Sequence, residues 1–185
     1  MKGKHLRSLL KVIPKNNIRY FLNGLYVNFD YREIAATDGH ILVLLENLEE
    51  LNIDGTGEAI IPRNVIEAVT SVCDPNANVY ITNTEISIGD LTIKYKPIEG
   101  KYPDFRVVFP KKETTYEDSR FCWFQSEFVK IVEKIAKDYA IDFEFFPPEN
   151  EKTSPLKLTG VSSDCSAFVT ILLCKVDVDI NGKEK

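Results

Sequence analysis

The sequence is poor in the residues that usually carry chemistry: its 185 residues hold two histidines, four cysteines, one methionine and one tryptophan. Cys73, Cys122, Cys165 and Cys174 show no Cys-x-x-Cys spacing, so they read as buried free thiols and not as a metal site or a disulfide framework. His5 and His40 are the only histidines, and no HExxH, P-loop or nucleophile-elbow pattern occurs. Asp38, close before His40, is the nearest approach to an acid–base or ligand pair; a turn-stabilising aspartate beside a packed or wall-forming histidine is the plainer reading. No catalytic residue, metal ligand or cofactor is therefore assigned. No apolar run approaches the roughly 20 residues needed to span a bilayer, and Met1-Lys2-Gly3-Lys4-His5 is not followed by the apolar core of a signal peptide, which makes the cytoplasm the expected location. Excess positive charge is also missing. A formal net charge of −5, with 28% charged and 44% hydrophobic residues, describes a globular chain with a real core and without an overall basic surface; local basic faces stay open.

What is present is a repeated pattern. Leu6, Leu9, Leu10 and Ile13 recur at helical spacing with Lys4, Arg7 and Lys11 on the other face, and Pro14 ends the run. Strands are expected over Leu25 to Phe29 and within Glu33 to Leu45, followed by a polar linker from Glu46 to Gly57. The strand Glu58 to Ile61 then leads through Pro62, placed for a first helical turn, into a helix carrying Val65, Ile66, Val69 and Val72. Val79 to Thr82, Glu85 to Ile88 and Leu91 to Tyr95 read as three strands, the last two joined by Gly89-Asp90. After a charged connector, the strand Phe121 to Phe124 precedes a helix with Ser126 as its expected N-cap and Phe128, Ile131, Val132, Ile135 and Tyr139 on one face. Ile141 to Phe146, Pro155 to Gly160 and Ser166 to Cys174 supply three more strands. The order β-α-β-β-β thus occurs twice, and the first segment fits it without a leading strand, so the fold class is α+β, built from repeated half-domain units.

Three short segments give this architecture a family likeness: Arg19-Tyr20-Phe21-Leu22-Asn23-Gly24, Ala36-Thr37-Asp38-Gly39-His40-Ile41-Leu42 and Gly100-Lys101-Tyr102-Pro103-Asp104-Phe105. Together and in this order they resemble the middle domain of the bacterial sliding clamp, the beta subunit of the replicative DNA polymerase III. The resemblance implies the DNA-clamp fold, in which helices line a central hole and sheets lie outside. It also implies a shortened clamp-like protein: residues 1–112 as a middle-domain-like region, 113–120 as a connector, 121–176 as a last-domain-like half unit and 177–185 as a polar tail.

The family works by topology and by a pocket for short linear peptides, not by catalysis. Carried over residue by residue, Leu22, Thr37, Gly39, His40, Leu42, Pro103 and Val108 would form the pocket wall, and Val169, Leu172 and Leu173 would close it; the alternative for all of them is strand core beside a turn. Ile41 stands where the family usually has Arg, and Ile171-Leu172-Leu173-Cys174 stands in place of a Met-Pro-Met-Arg-like ending, which leaves three readings open: a more apolar pocket, one altered in preference, or no pocket at all. Arg19, Tyr20 and Phe21 match the family's DNA-touching loop, and Lys130, Lys134 and Lys137 form a helical stripe suited to phosphate contact. A solvated helix face has the same pattern as that stripe, and Lys4, Arg7, Lys11 and Arg63 share the ambiguity.

The expected function is that of a sliding-clamp-like DNA polymerase processivity factor. Its expected partners are duplex DNA, polymerase and clamp-loader-like proteins bound through short motifs, and further copies of itself arranged head to tail. With about three half-units per chain, a tetrameric ring would restore the family's count. The alternative is a non-encircling adaptor or decoy that keeps the pocket without the ring.

Overall fold

The computed structural model describes residues 1–46, 52–110, 125–146, 155–162 and 168–174. The expected strand at Phe121 to Phe124, the connector, the polar tail, Cys122 and Cys165 lie outside the described residues. The first unit comprises α1 (Gly3–Leu10), a 3-10 turn at Tyr20–Leu22, and the strands β1 (Gly24–Asn28), β2 (Glu33–Thr37) and β3 (Ile41–Glu46). The second contains β5 (Glu58–Pro62), α2 (Arg63–Val72), β6 (Val79–Thr82), β7 (Glu85–Ile88) and β8 (Leu91–Lys94). The third contains α3 (Ser126–Tyr139), β9 (Ile141–Phe146), β10 (Leu156–Ser162) and β11 (Phe168–Leu173).

Two local expectations need correction. Pro62 ends β5 and sits at the N-cap of α2, one residue before the first helical turn, because its fixed φ of −57° is paired with an extended ψ of 140°. Ser126 is the first helical residue of α3; Gln125 takes the N-cap position without a side-chain cap bond. The linker after β3 also holds an unexpected strand, β4 (Asn52–Asp54), which pairs parallel to β6.

The sheets interlock the units. One sheet runs β5-β1-β2-β3-β11-β10-β9, and the other runs β4-β6-β7-β8. In each of the first two units the strand after the helix is flanked by a strand from elsewhere: β5 of the second unit pairs antiparallel with β1, and β4 occupies the equivalent edge beside β6. Beside β6, Lys2 also bridges antiparallel to Asn78, and the Val79 N–H donates to the Met1 carbonyl at 2.8 Å.

The first and third units join through their last strands. β3 and β11 pair antiparallel from Ile41↔Leu173 to Glu46↔Phe168, making one continuous sheet. Strand alternation sorts this seam by face: Ile41, Val43 and Leu45 meet Leu173, Ile171 and Val169 in the core beneath the helices. That core also collects Leu6, Leu9, Ile66, Val69, Ile86, Phe128 and Ile135, so the helices cover one side of both sheets. Leu42, Leu44 and Leu172 point to the opposite face.

α1 lies between α2 and α3 and is tied to each by polar contacts. Arg7 donates from Nε and Nη2 to the Thr70 carbonyl and from Nη2 to the Cys73 carbonyl, at the C-terminal end of α2. Arg63, at the start of α2, returns the arrangement by donating to the Leu10 and Ile13 carbonyls at the end of α1. Against α3, the His5 ring stacks on Tyr139 at 4.0 Å, and Ser8 donates to the Asp138 carboxylate. No helix among the described residues is long and apolar enough to cross a membrane.

Candidate functional site

The outer face of the seven-stranded sheet has its own apolar cluster. Leu22, Tyr26, Ala35, Leu42, Leu44, Ile60, Tyr102, Phe105 and Leu172 are all buried there. They are buried because the segment after β8 turns back over the sheet: the Ile98 N–H donates to the Ile60 carbonyl at 2.9 Å, and Tyr102 stacks on Tyr26 at 4.8 Å. At the end of this strap, Arg106 binds the carboxylates of Glu33 and Glu46, fastening it to the start of β2 and the end of β3. Desolvation by burial dominates the ionisation of Tyr102 and pushes it far up, and the hydroxyl lies beside the Thr37 main chain without a well-formed hydrogen bond.

The turn between β2 and β3 opens onto this cluster and is built almost wholly from its own side chains. Asp38 accepts the N–H groups of His40 and Ile41 at 2.7 and 2.9 Å. Thr37 Oγ1 accepts the Gly39 N–H and donates to the Ile41 carbonyl. Gly39 has φ +99°, a conformation that side chains rarely take, so glycine is required there. The Asp38 carboxylate is thereby committed to the turn, and His40 is exposed beside it. β11 reaches the same turn: the Cys174 N–H donates to the His40 carbonyl at 2.8 Å, and its thiol lies 3.8 Å from the Gly39 carbonyl. Cys174 is exposed and Cys73 half-buried, which corrects the expectation of buried thiols for these two.

The three sequence motifs converge here. Asn17 and Asn23 bond each other across the base of the first loop, and Asn17 Nδ2 donates to the Asp38 carbonyl. The Arg19 guanidinium lies over Gly39, and the Tyr20 ring lies over Gly100. Ile18, Arg19 and Tyr20 are exposed at the loop tip, while Phe21 is half-buried and packs against the outer cluster. Beside the loop, an open pocket of about 410 Å³ is lined by polar and apolar residues alike, Lys15, Asn16, Asn23, Arg63, Asn64 and Glu67 with Pro62 and Ile98.

No family model matches the chain. In sequence it is 29% identical over 122 residues to the Beta sliding clamp of Pseudomonas putida, covering 60% of this chain and 33% of the relative. The chain therefore spans about a third of the length of the curated relatives it matches. In structure it superposes on the DNA polymerase III subunit beta of Pseudomonas aeruginosa with a TM-score of 0.62 at 14% identity, over 96% of this chain and 66% of that one. A Helicobacter pylori beta clamp bound to a DNA ligase peptide gives a TM-score of 0.59 at 13% identity, over 95% of this chain and 63% of the other. The fold is that of a bacterial beta clamp.

In this clamp-like chain, Leu22, Leu42 and Leu172 share the outer cluster, with Thr37, Gly39 and His40 along one side in the turn. Pro103 is half-buried and Val108 is exposed, both on the strap. Val169 and Leu173 face the other way, into the helix-side core, which corrects their expected place beside Leu172. The cluster also holds residues the sequence reading passed over, namely Tyr26, Ala35, Leu44, Ile60 and Phe105; the alternation of Leu42 and Leu44 was the available signal.

The basic candidates separate. Lys134 pairs with Asp138 at 2.8 Å and Lys137 with Glu133 at 2.6 Å, each a neighbour on the same helix, whereas Lys130 is simply exposed. Arg7 and Arg63 are occupied in joining helix ends, so neither forms a phosphate-facing stripe.

Proposed function

We propose that this chain is a sliding-clamp-like DNA polymerase processivity factor that associates with duplex DNA and binds clamp-motif peptides of replication proteins. The observation that carries the reading is the convergence of three separated motifs on one apolar face, at the strand junction between the first and third units. Leu22, Leu42 and Leu172, almost wholly buried, would form the packed base of the site, and a peptide's large side chains would meet the exposed His40 and Val108 and the half-buried Pro103, with the main chain around Gly39 and His40 fixing its direction. The bound DNA ligase peptide of the Helicobacter pylori beta clamp supports peptide recognition as a property of this fold. Arg19 and Tyr20, exposed at the loop tip, would touch duplex DNA together with Lys130, acting on phosphate and sugar without reading sequence. Such a protein acts by holding partners and not by transforming them, in a homo-oligomeric ring that keeps polymerase on its template.

Val108 offers the cleanest test of the peptide site, because it is 51% exposed and its replacement leaves the core intact. Val108→Glu is expected to weaken a fluorescent clamp-motif peptide about tenfold, a loss of about 1.4 kcal/mol, with the melting temperature unchanged. Undiminished peptide binding in this variant would place the site elsewhere. For DNA, the expected result is retention on a closed circular duplex and release after linearisation. Equal loss from both forms would exclude encirclement.

A further inference from the structure

The internal symmetry of the chain marks β8 as an unfilled junction. Each unit ends in a last strand: β3 in the first, β8 in the second and β11 in the third. Two of these, β3 and β11, already meet antiparallel, with apolar residues matched on the helix side. β8 is the third such strand and forms the outer edge of the four-stranded sheet among the described residues. We propose that β8 pairs antiparallel with β8 of a second copy of this chain, about a two-fold axis at Thr92. This inference rests on the ring-forming reading above and replaces its head-to-tail arrangement with a symmetric one.

The strand chemistry suits a partner identical to itself. The Tyr95 N–H donates to the Thr84 carbonyl at 2.8 Å, which turns the main-chain groups of Tyr95 toward β7. By antiparallel alternation, Thr92 and Lys94 therefore present their N–H and C=O groups to the open side. With Thr92 opposite its own copy, Leu91 faces Ile93 of the second chain on the helix side, where both already pack against the core. Lys94, the last residue of β8, comes beside Asp90 in the β7–β8 turn of the second chain, so the two-fold brings together two opposite-charge pairs from one of each. The helix alongside is also prepared for contact: α2 leaves Ala68, Ser71 and Val72 exposed, with Val72 at 70%, whereas α1 uses its equivalent flank to pack on α3. A junction closed by a two-fold at one end of the chain requires another at the far end for the assembly to close, and β9 is the edge strand there among the described residues.

Cysteine crosslinking of the full chain tests the register. Opposed residues of a hydrogen-bonded pair lie about 5.5 Å apart at Cα, within the reach of a disulfide. Thr92→Cys under mild oxidation is expected to give a covalent dimer that the wild type, with its native thiols, does not form. If Thr92→Cys crosslinks only when mixed with Glu144→Cys on β9, the symmetric pairing is wrong and a head-to-tail one replaces it. Charge reversal gives a second readout by light scattering. Asp90→Lys and Lys94→Asp are each expected to raise the dissociation constant of the assembly at least tenfold, and the double exchange to restore it, since it re-creates both pairs. An assembly whose mass and stability none of these variants alters would overturn the β8 junction while leaving the ring-forming reading intact; a wild-type chain that is monomeric at every concentration would overturn both.

Discussion

Arg7→Met is expected to destabilise the fold by about 3 kcal/mol, seen as a lower urea midpoint at an unchanged slope. Methionine keeps most of the side-chain volume and packing, so the change isolates the hydrogen bonds. Arg7 is half-buried and serves two carbonyls at the end of α2, with bonds of 2.8 Å from Nη2 to each of Thr70 and Cys73. The last carbonyls of a helix have no partners within it, and a charged donor pointed at them also favours the negative end of the helix dipole. Without Arg7 those carbonyls lose their donor in a site already closed by α1. Arg7→Lys should recover only part of the loss, because a single ammonium cannot reproduce the fork that reaches Thr70 and Cys73 together. A midpoint that does not move in Arg7→Met would mean that water serves these carbonyls equally well. Arg63, which holds the end of α1 in the same way, is expected to behave alike.

That reciprocal exchange was not legible in the sequence. Arg7 and Arg63 each stand on the polar face of an amphipathic helix, a pattern shared by solvated charge and phosphate contact; only the placement of two helices side by side assigns them to each other's ends. The units themselves were legible, because helical and strand periodicities differ and each unit repeats their order. β4 was not, since Asn52-Ile53-Asp54 offers a single apolar residue and owes its conformation to the open edge of β6. The candidate site was half legible. Three motifs pointed to one place, yet Val169 and Leu172 were assigned to one wall although an odd separation along a strand sends them to opposite faces. The lysine stripe on α3 had a similar flaw, as Glu133 and Asp138 stand one turn from Lys137 and Lys134 and pair with them.

Acid is expected to loosen the seam between the first and third units, with His5 as the cause. The Lys2 main-chain N–H donates to His5 Nδ1 at 3.4 Å, which leaves the ring proton on Nε2 to be donated to the Asp138 carbonyl at 3.0 Å. A second ring proton would face a donor. Burial is the largest influence on this group, followed by the charge of Lys4; the amino terminus acts in the same direction, while the Asp138 carbonyl and carboxylate oppose them. The net effect lowers the pKa from 6.5 to about 4. Tyr139, stacked on the ring, is buried, and Lys134 and the Ser8 hydroxyl hold the Asp138 carboxylate. Because the folded state resists a proton that the unfolded chain takes up, the stability is complete above about pH 6.5 and falls as pH drops toward 4, by about 3 kcal/mol over that range. His5→Gln removes the titrating group and is expected to flatten this part of the profile, measured as urea midpoints at pH 7.5 and 4.5 against the wild type. Parallel profiles for the two proteins would assign the acid sensitivity to the carboxylates instead, and an NMR titration of the His5 ring with a midpoint near 6.5 would sink the argument directly. Since α1 and α3 pack beneath the same β3–β11 pairing that supports Leu42 and Leu172, the acid loss predicted for His5 should reach the peptide face as well, weakening a bound clamp-motif peptide at pH 4.5 in the wild type more than in His5→Gln.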